Sequence, residues 1–217
     1  NRVIAKGSVP RPELDTVKLL NSPVGVRDPF TASLLAKENI PCRYVGCPTL
    51  HLPADGVSDN GYVLFSLGRG HARTQTFAAR KISKSRHVIG ICHEDGDYER
   101  FRAAGWNLPL ITYNGDLDIY LSYFKNATVV VTGRLHGALP SLVYGKAVYY
   151  FGTRDSRTTI LDDLGVPIHG YGRLSQSVTR ASNGFNRYLL GHFRKAWKTL
   201  MQSVIAQTAR SSTSSIS

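Results

Sequence analysis

The chain has 217 residues, 42% of them hydrophobic and 19% charged, the composition of a soluble globular protein with a real core. No apolar run reaches the roughly 20 residues that span a bilayer, and Cys42, Cys47 and Cys92 supply neither a disulfide framework nor a C-x-x-C metal pattern. The formal net charge of +12 points to anionic partners: phosphorylated metabolites, nucleic acid or an acidic membrane surface.

The opening stretch "NRVIAKGSVPRP" lacks the apolar core of a signal peptide. With so few cysteines, the expectation is a reducing, cytoplasmic setting and no structural metal. Residues 1–57 contain "SPVGVRDPFTASLLAKENIPCRYVGCPTL", which reads as strand, loop, helix, strand. That is about one βαβ unit, so the segment is expected to be a partial, reduced or truncated α/β domain. "PADGVSDNG" at 53–61 suits a linker.

From residue 62 the pattern is regular. Strands are expected at 62–67, 87–92, 109–112, 128–132 and 147–151. Helices are expected at 74–83, 97–105, 116–126, 137–145 and 156–165, with Pro140 in the first turn of the fourth. Short apolar strands alternating with helices predict a Rossmann-like parallel sheet with helices on both faces over 58–182. Residues 184–207 predict a long amphipathic helix, with Phe185, Leu189, Phe193, Trp197, Leu200 and Val204 on one stripe and Arg187, Arg194, Lys195 and Lys198 opposite. Docking on the α/β body is the first reading of this 183–217 segment, and peripheral contact with a membrane surface the second. "ARSSTSSIS" reads as disordered.

Ligands of parallel α/β sheets sit beyond the carboxyl ends of the strands. The loops 68–73, 93–97, 113–116, 133–137 and 152–157 therefore form one functional rim. In "TGRLHG", the turn into a helix exposes backbone N–H groups and the positive end of the helix dipole. Arg134 adds a planar fork for phosphate or carboxylate, and His136 a proton donor. Gly133 and Gly137 permit close backbone approach. The alternative is that Arg134 pairs with a nearby carboxylate and His136 is a satisfied helix-start residue. In "FGTRDSRT", Ser156 or Asp155 is expected to cap a helix and leave Arg154 and Arg157 free; exposed ion pairs are the alternative. "GRGHAR" brings Arg69, His71 and Arg73 to the same rim. In "VRDPFTAS", Asp28 is expected to orient Arg27, with Thr31 or Ser33 serving the helix start; a plain structural ion pair is the alternative. Cys47 has no identifiable base beside it and reads as structural.

"VRDPFTASLL", "VGCPTL", "VVVTGRLHGALPSLVYGKAVYY" and "TRDSRTTILDDLG" resemble the polysaccharide pyruvyl transferase family. The resemblance covers about 23–170 and is most specific at R-L-H-G and R-D-S-R-T. It implies a GT-B-like pair of domains and transfer of the pyruvyl group of phosphoenolpyruvate onto sugar hydroxyls as a ketal, as in exopolysaccharide biosynthesis. It further implies that Arg134, Leu135 and His136 line the donor pocket with Gly137. Arg27 contributes from the N-terminal domain, and Arg69, Arg154 and Arg157 supply further positive charge. His136 would donate the proton, with Asp28 or Asp155 as base. The expected partners are phosphoenolpyruvate and a glycan acceptor, with no further cofactor and no metal. Competing readings are a GT-B nucleotide-sugar glycosyltransferase and a non-catalytic anion- or glycan-binding module. Nucleic-acid binding is disfavoured, because Phe77 alone among the residues of 69–86 offers an aromatic side chain of the Phe, Tyr or Trp kind between the cations for base stacking.

Overall fold

A computed structural model describes residues 23–68, 72–84, 86–166, 193–203 and 205–206. They fall into two compact units. The first holds the described residues up to His51, the segment Asp155–Ile160 and the C-terminal helix; the second holds Leu52–Arg154 and 161–166.

In the first unit, β1 (Val24–Val26), α1 (Pro29–Lys37) and β2 (Cys42–Tyr44) make a parallel βαβ, with Val24 opposite Cys42. Val26, Leu35 and Ile40 form its core. Asp28 caps α1: one carboxylate oxygen accepts from the Thr31 N–H at 2.8 Å and the other from the Thr31 hydroxyl at 2.9 Å. Pro29 follows at the helix start, where its missing N–H costs nothing. The cap is thus Asp28 itself rather than Thr31 or Ser33.

The C-terminal helix at 193–203 packs on this βαβ through its apolar stripe. Phe193 and Leu200 are buried. Phe193 meets the Tyr44 ring edge-on at 5.0 Å, and Trp197 stacks on His51 at 5.1 Å. Leu200 lies so close over Gly25 that a Cβ there would sit 2.6 Å from it. Residues 193–203 therefore complete the first unit instead of forming the separate segment expected from 183 onward. The remaining stripe positions, Phe185, Leu189 and Val204, lie outside the described residues, as does the tail. No helix among the described residues is long and apolar enough to cross a membrane.

The second unit alternates β3 (Val63–Ser66), α2 (Ala72–Ser83), β4 (Val88–Ile91), α3 (Asp97–Ala103), β5 (Leu110–Ile111), α4 (Leu117–Asn126), β6 (Val129–Thr132), α5 (Leu135–Val143) and β7 (Ala147–Tyr150). α6 (Thr159–Asp163) straddles the boundary between the units. The sheet is parallel throughout in the order β5-β4-β3-β6-β7, as the alternation predicts. Val63 aligns with Val88 on one side and Val129 on the other. β3 and β6 are buried at every position, as central strands covered on both faces must be. Phe65, Phe101, Ala78, Ala79, Val131 and Phe151 belong to its core, with the Phe65 and Phe101 rings edge to face at 5.4 Å. The direction of winding reverses between β3 and β6, so the crevice at their carboxyl ends is the topological switch point of the fold.

α5 departs from expectation. It begins at Leu135, two residues early, so Pro140 lies inside the helix rather than in its first turn. Pro140 has no N–H to give the His136 carbonyl. α6 begins at Thr159, because 156–158 form a turn held by Asp155.

Phe193→Ala should remove about 3–5 kcal/mol from the first unit, the usual cost of truncating a buried phenylalanine. Urea unfolding followed through Trp197 fluorescence checks this. A midpoint that stays in place would mean the helix contributes nothing to that unit.

Candidate functional site

The switch point is built from loops that touch backbone to backbone. A Cβ on Gly68 would lie 2.8 Å from the Gly133 carbonyl oxygen, so the β3 and β6 loops meet where only glycine fits. Gln75, buried in the first turn of α2, fastens them. Its carbonyl accepts the Gly68 N–H at 2.7 Å, its amide donates to the Phe151 carbonyl at 3.2 Å, and its side chain fills the space a Gly133 Cβ would need. The ends of β3, β6 and β7 are thereby tied to one side chain.

After β6 the Thr132 hydroxyl accepts the Arg134 N–H at 2.9 Å. Arg134 is extended, with φ −118° and ψ 133°, and occupies the N-cap position of α5. Its carbonyl takes the N–H groups of Gly137 and Ala138 at 3.0 and 3.1 Å. Gly137 is required here too, since a Cβ would stand 2.6 Å from the Thr132 hydroxyl. This geometry places the exposed His136 in the first turn of α5, beside the positive end of its dipole, with half-buried Leu135 before it.

The Arg134 side chain turns away from solvent; it is 15% exposed. Its Nε donates to the Leu67 carbonyl at 3.0 Å, and its Nη2 bonds Glu94 at 2.7 Å and Asp97. Asp97 is fully buried. One of its oxygens accepts the His93 and Glu94 N–H groups at 2.7 and 3.2 Å; the other accepts Arg100 Nε at 3.0 Å as well as Arg134. Arg100 also pairs with Glu94. Of the two readings of Arg134, the structure shows pairing with carboxylates. It is a committed guanidinium bridging the β3, β4 and β6 loops, and not a loose fork. Among the described residues only its Nη1 carries no hydrogen bond.

Behind this cluster lies a residue that sequence reasoning did not single out. His93 lies two residues beyond β4, where its Nε2 is 2.7 Å from the Ser66 hydroxyl and its Nδ1 is 3.0 Å from the Tyr120 hydroxyl. Tyr120 donates to the Cys92 carbonyl at 3.1 Å. The tautomer that satisfies all three contacts has Nδ1–H donating to Tyr120 and Nε2 accepting from Ser66. Burial, then the charge of Arg134, pushes the His93 pKa down to about 4, so the ring is neutral near pH 7. Burial also raises the Cys92 thiol to about 11, which keeps it protonated. The signal available in "GICHEDGD" was a histidine and three acids at the end of a strand on the rim.

The other sequence candidates divide. Asp28 is 4% exposed and both its oxygens serve the α1 cap, so it is neither the partner of Arg27 nor a base with an open lone pair facing solvent. Arg27 lies in the first unit, and its Nε is buried without a hydrogen-bond partner among the described residues. Arg154 and Arg157 are not free: Arg154 pairs with Asp162 at 2.6 Å and Arg157 with Asp155. The Arg154 pair is largely exposed and contributes little. Burial raises the Asp155 pKa, but its bonds from Arg157 outweigh this and lower it overall, leaving a weak base held in its own turn. Arg69 and His71 lie outside the described residues, and Arg73 is exposed at the start of α2. Cys47 is buried beside Thr49, in keeping with a structural role. Among the described residues, no group of three or more His, Cys, Asp or Glu could hold a metal ion.

A family model described as polysaccharide pyruvyl transferase matches residues 10–156. No curated protein matches the chain. Among solved structures it is similar to Arabidopsis thaliana UGT89C1 complexed with UDP. That similarity has 15% identity and a TM-score of 0.42, and covers 83% of this chain and 48% of that one.

Arg134→Ala should cost roughly 3 kcal/mol, the lower end for breaking a buried pair, because Arg100 still faces Asp97; denaturant unfolding measures it. Unfolded His93 titrates near 6.5 and folded His93 near 4. The unfolded chain therefore binds the extra proton in that window, and stability contributed by His93 is full above 6.5 and falls as pH drops towards 4. His93→Gln should flatten the stability–pH curve between those values, and an unchanged slope would remove the buried neutral imidazole from the account.

Proposed function

We propose that this chain, which belongs to the polysaccharide pyruvyl transferase family, moves the pyruvyl group of phosphoenolpyruvate onto two hydroxyls of a glycan. The observation that supports this reading most is the position of His136: exposed, in the first turn of a helix that starts at the switch point, with Arg134 locked two residues before it.

Phosphoenolpyruvate carries a phosphate and a carboxylate. The first-turn N–H groups of α5 and its dipole suit such an anion, and Arg134 Nη1 offers one further donor. In the proposed reaction His136 delivers a proton to the methylene carbon, which becomes the methyl group, and positive charge develops on the adjacent carbon. One sugar hydroxyl attacks that carbon and loses its proton, the phosphate departs with its bridging oxygen, and the second hydroxyl closes the ketal. Of the two hydroxyl protons, one restores His136 and one leaves on the phosphate, so the reaction is balanced with no oxidant or reductant. Arg134 acts chiefly as a positioning residue: its two carboxylate bonds fix the turn from which His136 projects. The cationic balance of 61–93 and of 164–217, each without an acid, favours approach of an anionic donor. We place the reaction in polysaccharide biosynthesis on the cytoplasmic side, with the acceptor glycan as the second partner.

Release of inorganic phosphate from phosphoenolpyruvate, assayed with galactose-, mannose- and glucose-terminated oligosaccharides, tests the proposal. One of these acceptors should stimulate release. His136→Ala should lower kcat by about 10²–10⁴-fold, the contribution of a positioned proton donor, with a much smaller change in KM. Phosphoenolpyruvate binding that persists without any acceptor-dependent release would leave a binding module in place of an enzyme.

A further inference from the structure

A concavity lies between α2 and α3. It encloses about 480 Å3, within the size range of small-molecule sites. Arg73, Phe77 and Arg80 face it from α2, at steps of four and three residues that make one stripe along the helix. Arg100, Ala103 and Ala104 face it from α3 and its end.

Two properties separate it from an ordinary surface dent. The first is Phe77, a large apolar side chain left 56% exposed in the wall. The second is charge. Arg100 is balanced by Glu94 and Asp97, whereas Arg73 and Arg80 have no carboxylate partner among the described residues. Arg80 is nonetheless held in place: its guanidinium lies over the Trp106 ring at 5.0 Å and donates to the Gly105 carbonyl at 3.0 Å. Two guanidiniums without a carboxylate partner among the described residues thus flank an exposed ring above alanines, and no acid among those residues lines the cavity.

We infer that this cavity binds a single-chain alkyl phosphate, with the chain against Phe77, Ala103 and Ala104 and the headgroup on Arg73 and Arg80. A nucleotide fits less well. A base needs polar partners for its edge, and besides the arginines the cavity offers only the side chain of Thr76, which is buried and already accepts the Trp106 N–H at 3.1 Å. The inference is independent of pyruvyl transfer.

Trp106, beside Arg80, is a built-in reporter, and Trp197 is the only other tryptophan. In the full chain carrying Trp197→Phe, decyl phosphate titrated below its micelle concentration should give a saturable change in emission. Phe77→Ser and the double variant Arg73→Gln/Arg80→Gln should each weaken that binding at least ten-fold, with circular dichroism unchanged. Neutral decyl maltoside, AMP and inorganic phosphate should each bind at least ten-fold more weakly than decyl phosphate. No saturable response, or equal binding of decyl maltoside or AMP, overturns the proposal. Phosphate release from phosphoenolpyruvate by Phe77→Ser, which leaves the charge of 61–93 intact, should be unaltered, so failure of one reading leaves the other standing.

Discussion

The rim of the second unit depends on one buried carboxylate. Asp97 sits at the start of α3 with no exposed surface, and an isolated charge there would be prohibitively costly. Two backbone N–H groups and two guanidiniums surround it. Because the donors come from the β4 loop, α3 and the β6 loop, satisfying Asp97 fixes three chain segments relative to one another. Glu94 adds a second acceptor between the same arginines, and its side chain remains partly in contact with water. A network of this kind is stabilising only when complete, and the shared bonds give it one arrangement.

That arrangement explains why an arginine and a histidine stand two residues apart at a strand–helix turn. The arginine reaches inward to the acids while its own backbone caps the helix, and the histidine is carried outward on the first turn. Holding and reacting are divided between neighbours. The glycines on either side serve the same end: Gly133 makes room for Gln75 and Gly137 for the Thr132 hydroxyl, so the turn packs tightly without a ligand. Behind it, the Ser66–His93–Tyr120 chain fills the gap under the cluster with polar groups that satisfy one another.

Much of the fold could be read from the residues. The alternation of apolar strands with helices between 62 and 151 reappears element by element, because each strand is short, β-branched and bounded by polar turns. R-L-H-G was visible as a strand-to-helix turn. What could not be read was where Arg134 points, since its acids lie 40 and 37 positions away in sequence and only the sheet order brings them together. The start of α5 was misplaced because Pro140 looks like a first-turn proline and its true setting depends on Thr132. The freedom expected of Arg154 and Arg157 failed for a local reason: Asp155 turns back on Arg157, and Asp162 lies one helix further along. The apolar stripe of the C-terminal helix was legible, but its destination was not, because amphipathicity reports that a face is covered and never by what.

That destination has a consequence for biogenesis. β1, α1 and β2 leave the ribosome about 150 residues ahead of Phe193 and Leu200, which cover Tyr44 and Gly25. The second unit is contiguous from Leu52 to Arg154 and can collapse during elongation, while the first keeps an apolar face uncovered until residues 193–203 emerge. A nascent chain stalled before residue 193 would present that face to holdase chaperones, and excising the early segment as a standalone piece would strand it without its lid of aromatic and leucine side chains.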